Sequence, residues 1–175
     1  MATKLEILDA ALLVLRQGEP LTIDAVARQA GLTKPGVVHH FATKEVLTVA
    51  VVDRLVDLWT AQLTERVPEN ASPQDRLRAY VDFSLTADLD PADLAVLSDV
   101  RLRDRLREQW TGRLAPWFGQ AIATDARGRA VLQAARLLAD GAWFDRALGI
   151  VELDERERAA ILAVGLRLID EGSRA

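Results

Sequence analysis

The sequence predicts an all-α fold of about nine helices, with a three-helix head over residues 1–47 and a helical body over 48–175. Three observations predict it. Apolar residues recur every three to four positions along most of the chain, the period of helices with one buried face. A Ser, Thr or Asp followed by proline or an acid, the punctuation of helix starts, returns at intervals. No stretch of useful length alternates apolar and polar residues as a half-buried strand would.

Leu5, Leu8, Leu12 and Leu15, broadened by Ile7, Ala11 and Val14, mark a first amphipathic helix that ends near Gly18 and Pro20. Thr22 is the N-cap of a second helix, with Asp24 in its first turn, where the dipole favours an acid. Val26, Ala27 and Ala30 form its inner face, and Gly31 supplies the left-handed exit that glycine adopts most cheaply. Thr33 caps a short third helix. Pro35 falls in its first turn, where a missing N–H costs no helical bond. Val37 and Phe41, four residues apart, are its inward pair and anchor it on the first helix. Thr43 caps a longer fourth helix that runs through Val46, Leu47, Ala50, Leu55 and Trp59 to about Arg66.

After a break from Pro68 to Ser72 the pattern stays helical. Ser72-Pro73-Gln74-Asp75 is close to a capping box, and Asp90-Pro91-Ala92-Asp93 and Asp154-Glu155-Arg156-Glu157 repeat the device. A long helix is expected from about Leu102 to Thr124, bent at Gly112 and Pro116. Another runs from about Gly128 to Leu148, and a last one carries Ile161, Leu162, Leu168 and Ile169.

Half of the residues are apolar, which excludes a disordered chain, and 175 residues are ample for a packed core. The longest apolar runs fall far short of the ~20 residues that cross a bilayer, so no membrane span is expected. The opening MATKLEILDAALLVLRQ carries Glu6, Asp9 and Arg16 at helical spacing and reads as structure, not as a targeting segment. There is no cysteine, which removes disulfides, thiolate nucleophiles and Cys-ligated zinc and fits a cytoplasmic location.

Residues Leu21 to Leu47, LTIDAVARQAGLTKPGVVHHFATKEVL, therefore read as helix, glycine turn, short helix and the capped start of another. A short helix presented beyond such a turn fits the major groove of DNA, the geometry of a helix-turn-helix. The net charge of −4 hides its distribution. Residues 1–47 hold five basic and five acidic side chains, and from Ala25 to Lys44 there is no acid while Arg28, Lys34 and Lys44 are present. A locally positive edge on an acidic body can engage phosphates. Lys34, Pro35, Gly36, Val38 and His39 are left facing outward near the start of the short helix. Lys34 can donate to guanine O6/N7 or to a phosphate. Gly36 costs about 1 kcal/mol against alanine within a helix. Close backbone approach to DNA accounts for it, and so does a loose first turn. Thr22 and Lys44 begin helices, whose free N–H groups bind phosphate.

Ile7-Leu8-Asp9-Ala10-Ala11, Gly18, Leu21-Thr22, Val26-Ala27, Ala30-Gly31-Leu32-Thr33, His40-Phe41 and Lys44-Glu45-x-Leu47 resemble the N-terminal domain of the TetR family of transcriptional regulators. The likeness covers about residues 5–50; beyond it, only helix number, length and the closing helix pair are similar. The resemblance implies a homodimer on a palindromic operator, usually a repressor, whose body holds a small-molecule inducer. It also implies phosphate contacts at Thr22, His40 and Lys44; together with Thr33 and the outward-facing Lys34, Pro35, Gly36, Val38 and His39 these make up the expected DNA-binding set. Two positions depart from the family pattern. Pro35 stands where a glycine is commoner, and Val38 where a tyrosine that touches the DNA backbone is commoner. Val38 can offer only apolar contact, such as to a thymine methyl, so specificity is expected to rest on few polar groups and to lean on the dimer.

His39 and His40 are the chain's two histidines, and as helix neighbours they point about 100° apart, so no metal site is expected. Eight of the nine aromatics lie in the body. Taken singly they read as core; as a group, Tyr80, Phe83, Trp110, Trp117, Phe118 and Trp143 are candidates to line an apolar or aromatic ligand's cavity beside the bend at Pro116. Asp99, Asp140 and Asp145 are available as polar anchors, with nothing to select them from surface acids. Leu138, Gly141, Ala142, Leu162, Gly165, Leu166 and Ile169 give the last two helices broad apolar faces with mid-helix glycines, which suits a four-helix contact between two subunits. Packing within one subunit is the alternative. Four serines and no nucleophile–base pair argue against an enzyme. The absence of a Gly-rich phosphate loop argues against a bound nucleotide, and no cofactor is expected. A helical protein-binding adaptor that has lost specific DNA binding is the rival reading.

Overall fold

The computed structural model describes residues 3–88, 92 and 103–175, the side chains of 103, 105, 106 and 110 excepted. All regular structure among them is helical: α1 (Lys4–Arg16), α2 (Ile23–Gln29), α3 (Lys34–His40), α4 (Lys44–Glu65), α5 (Pro73–Thr86), α6 (Arg103–Leu114), a 3-10 turn (Ala115–Trp117), α7 (Ala126–Leu148) and α8 (Glu155–Gly172). The expected cap at Asp90 and Pro91 lies outside the described residues. Two compact units form, residues 1–58 with 90–112 and residues 59–89 with 113–175. The division falls inside α4, not after residue 47. Nothing interrupts α4 where the head was expected to end, since Leu47, Val51, Val52 and Leu55 continue one buried face past that point.

In the first unit, α1 is closed at its start by a capping box. Thr3 Oγ1 accepts from Glu6 N, and the Glu6 carboxylate accepts from Thr3 N. Ile7, Ala11, Leu12 and Val14 are buried, and α1 packs on α2, which in turn packs on α3. Leu5, expected in the apolar stripe, is exposed, and in the same first turn it is Ile7 that is buried. Arg54 of α4 donates to Asp9 of α1 at 2.9 Å.

In the second unit, α7 and α8 pack along each other and both pack on α5 around Leu77, Val81, Leu85, Leu132, Ala135 and Ile169. Capping boxes at Ser72 and Asp154 start α5 and α8. The Arg146 guanidinium donates to Ser84 O at 2.8 Å and Ala87 O at 2.7 Å, satisfying carbonyls at the end of α5 with a cation, the charge that a helix C-terminus favours. The expected long bent helix is instead cut short. Pro116 has no N–H to give the Gly112 carbonyl, so α6 stops at Leu114 and the chain tightens into the 3-10 turn. Arg129 then pins the following loop through Gly119 O, Gln120 O and Ile122 O. The expected helix from Gly128 begins earlier, at Ala126, because Asp125 caps it by accepting from Gly128 N at 2.8 Å.

Candidate nucleic-acid interface

Three threonines start three successive helices. Thr22 Oγ1 accepts from Ala25 N at 3.1 Å, Thr33 Oγ1 from Gly36 N at 3.3 Å, and Thr43 Oγ1 from Val46 N at 3.2 Å. Each bond satisfies an N–H that the first helical turn leaves without a partner. Between α2 and α3 the turn is made at Gly31, which has φ +65°. Val37 and Phe41 are buried beneath α3, as the spacing predicts; α3 packs chiefly on α2.

Lys34, Pro35, Val38 and His39 are exposed, with Gly36 and His40 half-buried. One seven-residue helix and its cap therefore present seven of the nine predicted DNA-binding positions, and Thr22 and Lys44 stand exposed at the starts of α2 and α4. The His39 and His40 rings meet edge to face, with centroids 5.2 Å apart. A methyl group built on Gly36 would lie 3.4 Å from Thr33 Oγ1 and 3.7 Å from Leu32 Cβ, ordinary contact distances, and its φ is not positive. Nothing inside the head requires glycine at this position.

The electrostatics differ from the sequence expectation. Lys34 Nζ lies 2.9 Å from Asp24 Oδ2, and Arg28 pairs with Glu19. Acids outside the acid-free stretch fold back onto two of its three cations. Counting charge along the chain misses this. The signal available was the placement of Asp24 and Lys34 in the first turns of two helices joined by one tight turn.

In the second unit the predicted ligand residues Tyr80, Phe83, Trp117, Phe118 and Trp143 are all buried, while the side chain of Trp110 lies outside the described residues. Ring contacts join four of them in two groups, while Trp117 lies under the Arg76 guanidinium at 5.9 Å. Trp59 meets Phe83 and Trp143 edge to face at 5.0 and 5.4 Å. Tyr80 meets Phe118 at 5.3 Å, with the Arg136 guanidinium 4.9 Å from the Phe118 ring. The Tyr80 hydroxyl donates to Asp140 Oδ1 at 2.7 Å, and Arg136 donates to the other Asp140 oxygen. Burial, then the Asp140 charge, pushes the Tyr80 hydroxyl far above the usual tyrosine range. Trp143 Nε1 is buried with no hydrogen-bond partner among the described residues. Two cavities, of ≈ 310 and ≈ 490 Å³, open elsewhere, the first by Asp125, Gly128 and Glu171 and the second by Asp88, Arg146 and Arg158. None of the five predicted aromatics whose side chains are described lines either.

The predicted interface residues separate. Gly165 and Ile169 are buried inside the chain, so their contribution is to internal packing: a methyl on Gly165 would meet Val81 of α5. Leu138, Ala142, Leu162 and Leu166 are half-buried, and Gly141 is exposed. The face α7 leaves open carries Leu137 (60% exposed), Gly141, Phe144 (51%) and Leu148 (52%), spaced four, three and four residues apart.

Residues 74–169 match the family described as "Tetracyclin repressor-like, C-terminal domain", and residues 7–51 that described as "Bacterial regulatory proteins, tetR family". The chain is similar to the HTH-type transcriptional regulator BetI of Paraburkholderia phymatum, 34% identical over 79 residues, which are 43% of this chain and 40% of BetI. It is 30% identical over 68 residues to the HTH-type transcriptional regulator RutR of Escherichia coli K12, 39% of this chain and 32% of RutR. The aligned stretch thus spans less than half the length of these curated relatives. Among solved structures, the multidrug binding protein EbrR complexed with imidazole superimposes with a TM-score of 0.63 at 20% identity, over 96% of this chain and 95% of that one. A TetR-like transcriptional regulator from Rhodococcus sp. RHA1 does so with 0.55 at 19%, over 98% and 96%. At these identities the likeness is one of fold. With family matches covering both the head and most of the body, the chain belongs to the TetR family of bacterial regulatory proteins.

Proposed function

We propose that this chain is a sequence-specific DNA-binding transcriptional regulator that works as a homodimer on a palindromic operator, as a repressor released by a small apolar or aromatic ligand. The observation that carries the DNA-binding reading is the capped helix α3. Val37 and Phe41 hold it from below, and Lys34, Pro35, Gly36, Val38 and His39 stand on its open side. A short helix fixed in this way can enter a major groove with its first residues against base edges. Thr22 and Lys44 flank it as phosphate contacts, and His40 completes that set.

A second copy is the occupant assigned to the open face of α7, where Leu137, Gly141, Phe144 and Leu148 form one stripe. Helix pairs that meet on such a stripe give the two-fold symmetry a palindrome requires. The ligand assignment rests on the buried aromatics and on Trp143 Nε1, a donor with no hydrogen-bond partner among the described residues.

Selection of duplexes from a random-sequence pool tests the whole reading. A regulator enriches one palindromic site and binds it with affinity that falls steeply as salt rises. Enrichment of no sequence at low salt, with partner proteins captured through the exposed Val38 surface, would establish the adaptor instead. Light scattering that finds a monomer at micromolar concentration would remove the dimer and the palindrome with it.

A further inference from the structure

We propose that Asp24 tunes both the affinity and the sequence preference of the head: by pairing with Lys34 it holds that lysine back from phosphates and bases alike. This rests on the reading of the head as a DNA reader and concerns how it discriminates.

The geometry is direct. Lys34 Nζ and Asp24 Oδ2 are 2.9 Å apart, and the two side chains are 60% and 68% exposed. Lys34 is the first residue of α3, the position nearest the base edges when a recognition helix enters a groove by its N-terminus. Asp24 lies in the first turn of α2, beside the Thr22 cap. An ion pair this exposed is weak, changing an equilibrium constant by no more than about five-fold, so it opens readily when a better partner arrives.

What counts as better is the point. Non-specific duplex offers only phosphates to a lysine here. Moving Lys34 from a carboxylate to a phosphate exchanges one anion for another, and it leaves the Asp24 carboxylate unpaired in the field of the DNA. While the pair stays closed, Lys34 neutralises no phosphate and releases no counterion. A guanine in register offers O6 and N7 as acceptors, a contact worth about five- to a hundred-fold in discrimination. That exchange, too, has first to break the pair with Asp24. The acid therefore weakens the base-reading complex, in which the pair is always open, at least as much as the non-specific one, and it narrows the preference between them. Arg28, held by Glu19, is masked in the same manner. Lys44 makes no ion pair among the described residues, which leaves it as the unmasked phosphate contact.

The test uses the full chain. A duplex enriched by the wild type from a random-sequence pool, and a scrambled duplex of equal length and composition, are titrated over a salt series with the wild type, Asp24→Asn, Lys34→Gln and the double variant. Asp24→Asn should bind the scrambled duplex up to about five-fold tighter. Its salt dependence there should steepen by about one phosphate's worth of counterion release, and its preference for the enriched duplex should widen. In the Lys34→Gln background the same change should leave the salt slope as it was. An unaltered preference and slope in Asp24→Asn would overturn the proposal while leaving the DNA reader intact. Equal effects of Asp24→Asn with and without Lys34 would also overturn it, since the acid would then act only as bulk charge. Failure of the wild type to enrich any duplex removes the DNA reader itself, and that result appears before any variant is compared.

Discussion

Gly165 of α8 lies against Val81 of α5 so closely that a methyl group on the glycine would sit 2.8 Å from Val81 Cγ1. Real carbon atoms do not approach so near, so α8 crosses α5 at that point because residue 165 has no side chain. Gly141 of α7 is the opposite case, with nothing within 4 Å of the same position. Gly165→Ala should therefore destabilise the fold by about 1–2 kcal/mol, overpacking outweighing the better helix propensity of alanine. Gly141→Ala should leave the fold of the chain no less stable and instead shift the association of copies towards monomer. Urea melts and sedimentation velocity on both variants read the two effects separately. A dimer unaffected by Gly141→Ala would take that glycine out of the subunit contact.

Gly36 admits the same kind of separation within the head. Its surroundings leave room for a methyl group, and its backbone lies in a region any residue adopts. Gly36→Ala should raise the melting temperature, because alanine is favoured over glycine in a helix by about 1 kcal/mol. DNA affinity should fall at the same time, since the added methyl group stands between the α3 backbone and the groove. A variant that is more stable and binds DNA as tightly as the wild type would reduce Gly36 to a loose first turn.

The elements legible in the sequence are those whose causes lie within four residues of each other. The Ser72 and Asp154 capping boxes, the Thr22 and Thr33 caps and the left-handed exit at Gly31 all stand where the residues place them. Two kinds of fact were not legible. Periodicity shows that a helix has an apolar face but not what covers it. Gly165 and Ile169 thus read as interface and are core, while the exposed stripe runs through Leu137, Phe144 and Leu148. Charge counted along the chain likewise cannot see Asp24 meeting Lys34, a pairing made by the turn between α2 and α3. Pro116 is a third case. A bend and a break have the same local signal, and the structure breaks.

Lys34 and Lys44 should respond differently to truncation. Lys44→Ala removes a phosphate contact and should weaken binding to all duplexes alike, lowering the salt slope by about one. Lys34→Ala should in addition change which operator variants are preferred, by about 1–3 kcal/mol at one base pair. Competition binding against a panel of single-base variants of the enriched duplex distinguishes them. If Lys34→Ala keeps the wild-type order of preference, Lys34 reads no base.

Tyr80 is the chain's single tyrosine, so its ionisation can be followed without ambiguity. Burial and the adjacent Asp140 carboxylate raise its pKa well above the unfolded value of about 10. A raised folded pKa means the hydroxyl's contribution to stability is fully present below pH ~10 and is lost as the pH climbs above that value. The folded protein should consequently show no tyrosinate absorbance at pH values where free tyrosine is half ionised, and the band should appear only together with unfolding. Tyr80→Phe should remove this alkaline dependence. It should also cost about 1–2 kcal/mol near neutrality, because Asp140 loses a buried donor and keeps, among the described residues, Arg136. Tyrosinate that forms near pH 10 with the helical circular dichroism intact would show that the hydroxyl reaches water and that the Tyr80–Asp140 bond is not held in solution.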